Sequence, residues 1–310
     1  MSRLLTAMLA ALCCWMLCAS SAAAPAPQGL PALDVAALAA APNRLYVGGF
    51  DDGLFILESD GRARRFQDPA LSPHINALAW SEREQILWLG TARGLVRCRM
   101  ERTTTCKRLG PTSAVHALLL RRDASLVAGG DAGLTFVDGQ ATRVFGKKQG
   151  APFRSVWALT ESEDALFVGS TNGLFWGAPR AFVAGGAGLS RAALVSGNLP
   201  DDWVTALLRQ GDRLLVGTYN SGVVGFQLRS GQLRSDAADS ALGYVNPAGL
   251  FAVDVARVAV ATMDGLRSGA LGHTAVVKTN ARDITAVVPA AGGGYWIGTR
   301  QGLEWLASLG

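Results

Sequence analysis

The stretch Ile284-Thr-Ala-Val-Val-Pro-Ala-Ala-Gly-Gly-Gly-Tyr-Trp-Ile-Gly-Thr-Arg-Gln-Gly-Leu303 decides how the chain is read. It contains an apolar run, a Gly-rich turn, a second apolar run closed by Gly298, a short polar loop, and then Gly302-Leu303. That order describes two short strands and the start of a third. The unit recurs. Its last glycine reappears as Gly53, Gly94, Gly133, Gly173, Gly222 and Gly265, at a spacing of about forty residues, which marks a propeller or solenoid.

Aligning the units gives columns. The first runs are Val35-Ala-Ala-Leu38, Ile75-Asn-Ala-Leu78, Val115-His-Ala-Leu118, Val156-Trp-Ala-Leu159, Val204-Thr-Ala-Leu207, Leu250-Phe-Ala-Val253 and Ile284-Thr-Ala-Val287, with Ala third throughout. A small residue at one point of an inner strand implies close approach of neighbouring backbones. The second runs end in Gly in six units and in Ala261 in the sixth. The glycine before the third strand suits a turn that needs positive φ. Fourth runs such as 62–66 and 103–108 are more polar, as outer strands are.

Seven such units predict an all-β, seven-bladed β-propeller of four-stranded antiparallel blades. Its blades span roughly 33–68, 71–110, 112–149, 153–199, 200–240, 246–280 and 281–310. A single blade cannot bury both faces of its sheet, so neighbours must cover them. The last unit stops soon after its third run. Residues 25–32 are therefore a lead-in, and the stretch Gln28–Leu33 is expected to supply the outer strand of the last blade and close the ring. The long Gly/Ala-rich insertion at 177–200 reads as an extended loop or added ribbon.

The composition fits a large core with many turns and excludes disorder: 37 Gly and 49% hydrophobic residues in 310. Net charge is +5, scattered, without a basic stripe interleaved with aromatics, so no nucleic-acid partner is expected. Residues 1–24 read as a cleavable signal peptide: Arg3, an apolar run to Cys18, then small residues. The protein is accordingly expected to be periplasmic or secreted, with no stable membrane insertion once the leader is removed, and monomeric. Two cysteines remain, Cys98 and Cys106. In an exported protein such a pair predicts a disulfide. The pair would close a hairpin between third and fourth strands of one blade, stabilising it by about 2 kcal/mol.

The repeat resembles that of the two-component regulator propeller family, most closely at Asn198-Leu-Pro-Asp-Asp-Trp-Val-Thr-Ala-Leu207 and Tyr295-Trp-Ile-Gly-Thr-Arg-Gln-Gly-Leu303. The resemblance covers about 33–310 and implies the fold and a ligand-binding role. In that family such repeats often form periplasmic sensing parts of membrane kinases. The sequence to Gly310 shows no transmembrane helix, kinase or DNA-binding segment after the repeats, so the fold and a binding role are what is expected to carry over.

Chemistry-bearing motifs are few. The histidines His74, His116 and His273 lie in different units, and no HExxH, CxxC, P-loop or Gly-x-Ser-x-Gly pattern occurs. Neither a metal nor a cofactor is expected, and no catalytic residue is assigned. Variable polar residues at fixed places in a repeat are where function resides. The loops entering the first strand and those joining second to third strands supply the candidate ligand-binding set: Asp34, His74, Arg93, Asp131, Asn172, Asp202, Tyr219, Asp264, Asp283 and Arg300. His116 and Trp157, one residue into their strands, are assigned to the inter-blade core. The expected activity is non-enzymatic binding of a protein, peptide or glycan on the channel-mouth face, in a sensory or scaffold role. The alternative is a propeller enzyme, a lyase or glycan hydrolase, using His74 as base beside Asp34 or Asp283.

Overall fold

The computed structural model describes residues 27–101, 104–183, 186, 188–193, 198–229 and 232–310. The leader assigned to 1–24 lies outside the described residues, as does part of the 177–200 insertion. Seven antiparallel sheets follow one another around a ring, each meandering outward in chain order. The inner strands are Val35–Ala41, Ile75–Ser81, Val115–Leu120, Val156–Glu161, Val204–Gln210, Val245–Ala252 and Ile284–Pro289. Each packs on the next, and the first packs on the seventh.

The core is divided, as a ring of sheets requires. Seven separate buried clusters occur, one at each blade interface. The glycine that ends the second strand is explained by this packing. A Cβ on Gly129 would lie 2.4 Å from Val156 Cγ1 of the next blade, and one on Gly169 would lie 2.5 Å from Val204 Cγ1. In six of the seven interfaces the Val or Ile that opens an inner strand thus nests against a glycine of the neighbouring blade, the exception being Ile284 beside blade 6, where Ala261 stands in the column.

Inner strands carry a bulge after their first residue. The register shifts between Val35 and Ala37, Ile75 and Ala77, and Val156 and Ala158, and likewise in blades 5 and 7. A bulge re-aims the extra side chain. In blades 2 and 7 that side chain staples the next blade: Asn76 Nδ2 donates to the Val115 carbonyl at 2.9 Å, and Thr285 Oγ1 to the Val35 carbonyl at 2.6 Å.

Two expectations are corrected. In blade 6 the inner strand opens at Val245, not Leu250. Val245 pairs with Thr262 and Leu250 with Val260, which places Leu250 level with Leu38, the partner of Val47. The alanine of the column is replaced by Gly249, where a Cβ would meet the Ala261 carbonyl oxygen at 2.8 Å. Pro247 and Ala248 are an insertion at the bulge, and Ala248 has φ 54°. Asn246 occupies the staple position and donates to the Ile284 carbonyl.

The ring-closing strand is the second correction. Among the described residues the seventh blade has three strands, Ile284–Pro289, Tyr295–Thr299 and Gly302–Leu306, while the other six have four. Gln28 bridges to Arg62 in the first blade, its amide donating to Gly61 O at 2.7 Å and its carbonyl accepting from the Ala63 amide at 2.8 Å. Pro27 and Pro31, which lack an amide hydrogen, flank this contact and prevent a longer ladder. The seam closes by face packing instead. Leu33 is buried and Leu30 partly buried in the cluster of Val35, Phe55, Ala286 and Trp296.

The hairpin disulfide is present. Cys98 and Cys106 are directly opposed in the ladder with Cα atoms 4.1 Å apart and their sulfurs bonded, the short spacing of a non-hydrogen-bonded pair. The insertion in blade 4 supplies a short helix, Pro179–Val183, and the outer strand Ser190–Ala192. Phe182 of the helix is fully buried against Phe145 and Phe153.

Candidate functional site

The bulged side chains and second-to-third strand loops meet at one end of the central channel. They enclose a cavity of about 640 Å³, within the usual range of ligand sites. Where blades 2, 6 and 7 use Asn or Thr as inter-blade staples, blades 3 and 4 place His116 and Trp157. These rings stack on each other, centroids 4.2 Å apart and planes within 2°. Trp157 meets Trp203 edge-on at 5.7 Å, Trp203 stacks on Tyr219 at 4.3 Å, and Tyr219 meets Tyr244 edge-on at 4.8 Å. An aromatic arc therefore runs from blade 3 to the approach to blade 6. His116, Trp157, Tyr219 and Tyr244 line the cavity.

The opposite wall is built at the ring seam. Arg300 lies 4.9 Å over the Phe50 ring and donates to Asp34 Oδ2 at 3.0 Å. Burial pushes the Asp34 carboxyl above its ordinary range. Arg300 opposes that rise, and nearby Asp283 and Asp52 add to it. Phe50 in turn meets the His74 ring edge-on. His74 Nδ1 is 3.4 Å from Asp51 Oδ1, so its carboxylate partner is Asp51 and not Asp34 or Asp283.

His116 is the most firmly held of the polar groups. Its Nε2 is 3.1 Å from Asp131 Oδ1, and Ser155 Oγ donates to the same oxygen at 2.6 Å. Burial acts to raise the Asp131 carboxyl, but these hydrogen bonds outweigh it and hold the group below its ordinary value. An ionised Asp131 is an acceptor and so orients the ring with Nε2–H toward it. Burial also pushes the Tyr244 hydroxyl up, with Tyr219 adding to the effect.

Of the residues expected from sequence, His74, Tyr219, Asp283 and Arg300 line the cavity. Asp34 and Asp131 stand behind it, each bonded to a lining side chain. Arg93, Asn172, Asp202 and Asp264 do not line it. Three of these four occupy turns with a structural logic of their own. Thr91, Ser170 and Thr262 each donate a hydroxyl to the carbonyl of the glycine three residues on, and accept from the amides of Arg93, Asn172 and Asp264. Asn172 further clasps its loop, accepting from the Arg154 amide and donating to Pro152 O. Sequence reasoning assigned His116 and Trp157 to the core and passed over Phe50 and Tyr244. The available signal was the second position of the inner strand: small or amide-bearing in most blades, aromatic only in blades 3 and 4 once blade 6 is realigned.

No family model matches the chain, and no curated protein matches it by sequence. Solved structures do match. The extracellular domain of BT4673, a one-component or hybrid two-component system of B. thetaiotaomicron, superposes with a TM-score of 0.72 at 16% identity over 90% of this chain. What the two share is the propeller fold. This chain spans 39% of that longer one. PorZ, a surface component of the type-IX secretion system of Porphyromonas gingivalis, gives 0.66 at 16% identity, covering 91% of this chain and 38% of its own. Streptogramin B lyase gives 0.67 at 11% identity, covering 90% of this chain and 96% of its own. Among the described residues no helix is long and apolar enough to cross a membrane.

Proposed function

We propose that this is an exported, non-enzymatic propeller that captures a ligand in its channel mouth as a sensory or scaffold module. The observation that carries the reading is the aromatic cavity, built at the positions where the blades depart from their own repeat. Export rests on the leader-like start of the chain, and the extracellular propellers of similar fold accord with it. Among protein, peptide and glycan ligands, a glycan fits best. Most polar side chains at the mouth already have partners, Arg300 in Asp34, His116 in Asp131 and His74 in Asp51, which leaves Asp283 as the lining carboxylate. What remains on offer is aromatic surface with hydroxyl, imidazole and guanidinium groups at its edges, which suits an uncharged ring bearing hydroxyls.

The test is a panel of glycans and peptides read by intrinsic tryptophan fluorescence, since Trp157 and Trp203 belong to the arc. A glycan should bind saturably, and joint replacement of Trp157 and Arg300 by Ala should weaken it at least about tenfold, roughly 1.4 kcal/mol, with the circular dichroism unchanged. Undiminished binding in that variant would move the site elsewhere.

A second reading is favoured by one observation, the Ser155–Asp131–His116 chain. A carboxylate that orients an imidazole inside a pocket is the arrangement of a general base. The readings separate on turnover: an enzyme converts the bound glycan and loses that conversion in His116→Gln, whereas a binding module returns it unchanged.

A further inference from the structure

Among the described residues, no strand pairs with the outer side of the seventh blade. Its third strand, Gly302–Leu306, is half-buried along its whole length, whereas third strands elsewhere begin with runs of buried residues. In four other blades the carbonyl of a residue at or just beyond the end of the fourth strand lies 2.0–2.6 Å from where a Cβ of the pre-strand glycine would sit, at Gly94, Gly133, Gly173 and Gly222. At Gly302 that space is open, as it also is at Gly265 of the four-stranded sixth blade. The flanking chain ends are engaged elsewhere. Gln28 is bonded to blade 1, Leu309 is buried in the interface with blade 6, and Gly310 O accepts from Arg257 at 2.6 Å.

The repeat itself says what such an edge takes. The residue equivalent to Leu303 faces Phe66, Leu109, Phe145, Ala192 and Val277 in five blades, and Asp239 in the other. The residue equivalent to Glu304 faces Arg65, Arg108 and Arg191 in three of them. Glu304 is the only acid among the seven equivalents, which are otherwise Phe55, Val96, Thr135, Phe175, Val224 and Arg267. Its carboxylate accepts from the Asn280 amide at 3.0 and 3.2 Å and keeps lone pairs for a cation. Opposed charges on directly paired strand residues favour pairing.

We propose that Gly302–Leu306 accepts, by strand addition, an extended segment of a partner protein carrying Arg or Lys followed by Phe or Leu. The basic residue sits opposite Glu304 and the apolar one opposite Leu303. Main-chain hydrogen bonds supply affinity and these two side chains the selectivity. Residues 19–33, which lead into the ring, contain no basic residue, so that stretch offers no charge partner for Glu304. This edge is distinct from the channel mouth and does not depend on what binds there.

The probe is a fluorescent peptide copying residues 61–67, Gly-Arg-Ala-Arg-Arg-Phe-Gln, the outer strand of blade 1 with its flanks. The protein carries a net charge of +5, so bulk electrostatics do not favour this basic peptide. Saturable binding with Kd below about 1 mM, together with slowed amide exchange confined to 302–306, is expected. Glu304→Lys should weaken it at least about tenfold, and Glu304→Gln by less. A peptide with Glu in place of its Arg65 should bind Glu304→Lys and not the parent. Absence of saturable binding, equal binding to Glu304→Lys, or protection away from 302–306 would overturn the proposal. Two other results would also overturn it by naming another occupant. One is a dimer abolished by Glu304→Lys, which points to a second copy. The other is binding seen only in protein lacking residues 1–26, which points to the chain's own start.

Discussion

Adding a single methyl at Gly129 tests the packing rule on which the ring depends. The new Cβ would sit 2.4 Å from Val156 Cγ1, 3.0 Å from Val156 Cβ and 3.3 Å from Leu159 Cδ1, where carbon pairs prefer about 3.5–4.0 Å. Val156 Cβ is fixed to an inner strand wedged between two blades, so relief requires backbone movement. Overpacking of this kind destabilises by about 1–3 kcal/mol. The reduced freedom of alanine in the unfolded chain returns about 0.4–1 kcal/mol, leaving a net loss of about 1–2 kcal/mol. At roughly 2–4 °C per kcal/mol, Gly129→Ala should lower the melting temperature by about 2–8 °C. Val156→Ala alone should destabilise by about 1.6 kcal/mol for two lost methyl-sized groups, plus the cavity left behind. In the double variant the closest clash, with Cγ1, disappears, so its loss should fall short of the sum by about 1 kcal/mol. Differential scanning calorimetry and urea titration of the three variants supply the numbers. An unchanged melting temperature in Gly129→Ala, or strict additivity, would refute the argument. Ala261, which naturally holds a methyl at this column in blade 6, shows that the penalty belongs to the approach of Val156 and not to the column as such.

Joint Cys98→Ser and Cys106→Ser should destabilise by about 2–3 kcal/mol for so short a loop, and alkylation of the denatured, unreduced parent should find neither thiol free. Asn76→Ala and Thr285→Val each remove an inter-blade staple and should each lower stability by about 0.5–1.5 kcal/mol in urea titration. His116→Asn places the staple residue of blade 2 into blade 3. The melting temperature should stay within about 3 °C, roughly 1 kcal/mol, while ligand binding at the channel mouth is lost. Because the Asp131 carboxyl is held below its ordinary value, its contacts stabilise the fold above the usual aspartate range. That stabilisation disappears as pH falls through the depressed value. Asp131→Asn should therefore melt lower than the parent at pH 7, with the gap closing in acid. A gap independent of pH would contradict the assignment.

The repeat made the architecture legible because its columns are contact requirements. The nested valine and glycine, the alanine beside them and the glycine that turns into the third strand can each be filled by few residue types, so they recur in the chain. The hairpin disulfide was legible for the same local reason: a ladder position eight residues from its partner. Blade 6 misled because the insertion of Pro247 and Ala248 shifts the frame, while Leu250-Phe-Ala-Val253 imitates the motif. Only strand pairing shows that Val245 opens the strand. The site was half legible. Loop polarity pointed to His74, Tyr219, Asp283 and Arg300, but equally to Arg93 and Asp264, whose turns are locked by neighbouring threonine hydroxyls.

The chain alone, then, determined the number of blades, their order and the covalent staple, since those depend on neighbours within about forty residues. Tertiary structure decided which variable side chains meet. His116 and Trp157 lie 41 residues apart in sequence (157 − 116) and stack because adjacent blades bring the same bulge side by side. Asp34 and Arg300 pair across 266 residues because the ring closes there. Whether the stretch from Gln28 to Leu33 adds a fourth strand to the last blade was likewise a question of where Gln28 finds hydrogen-bond partners, and it finds them on blade 1.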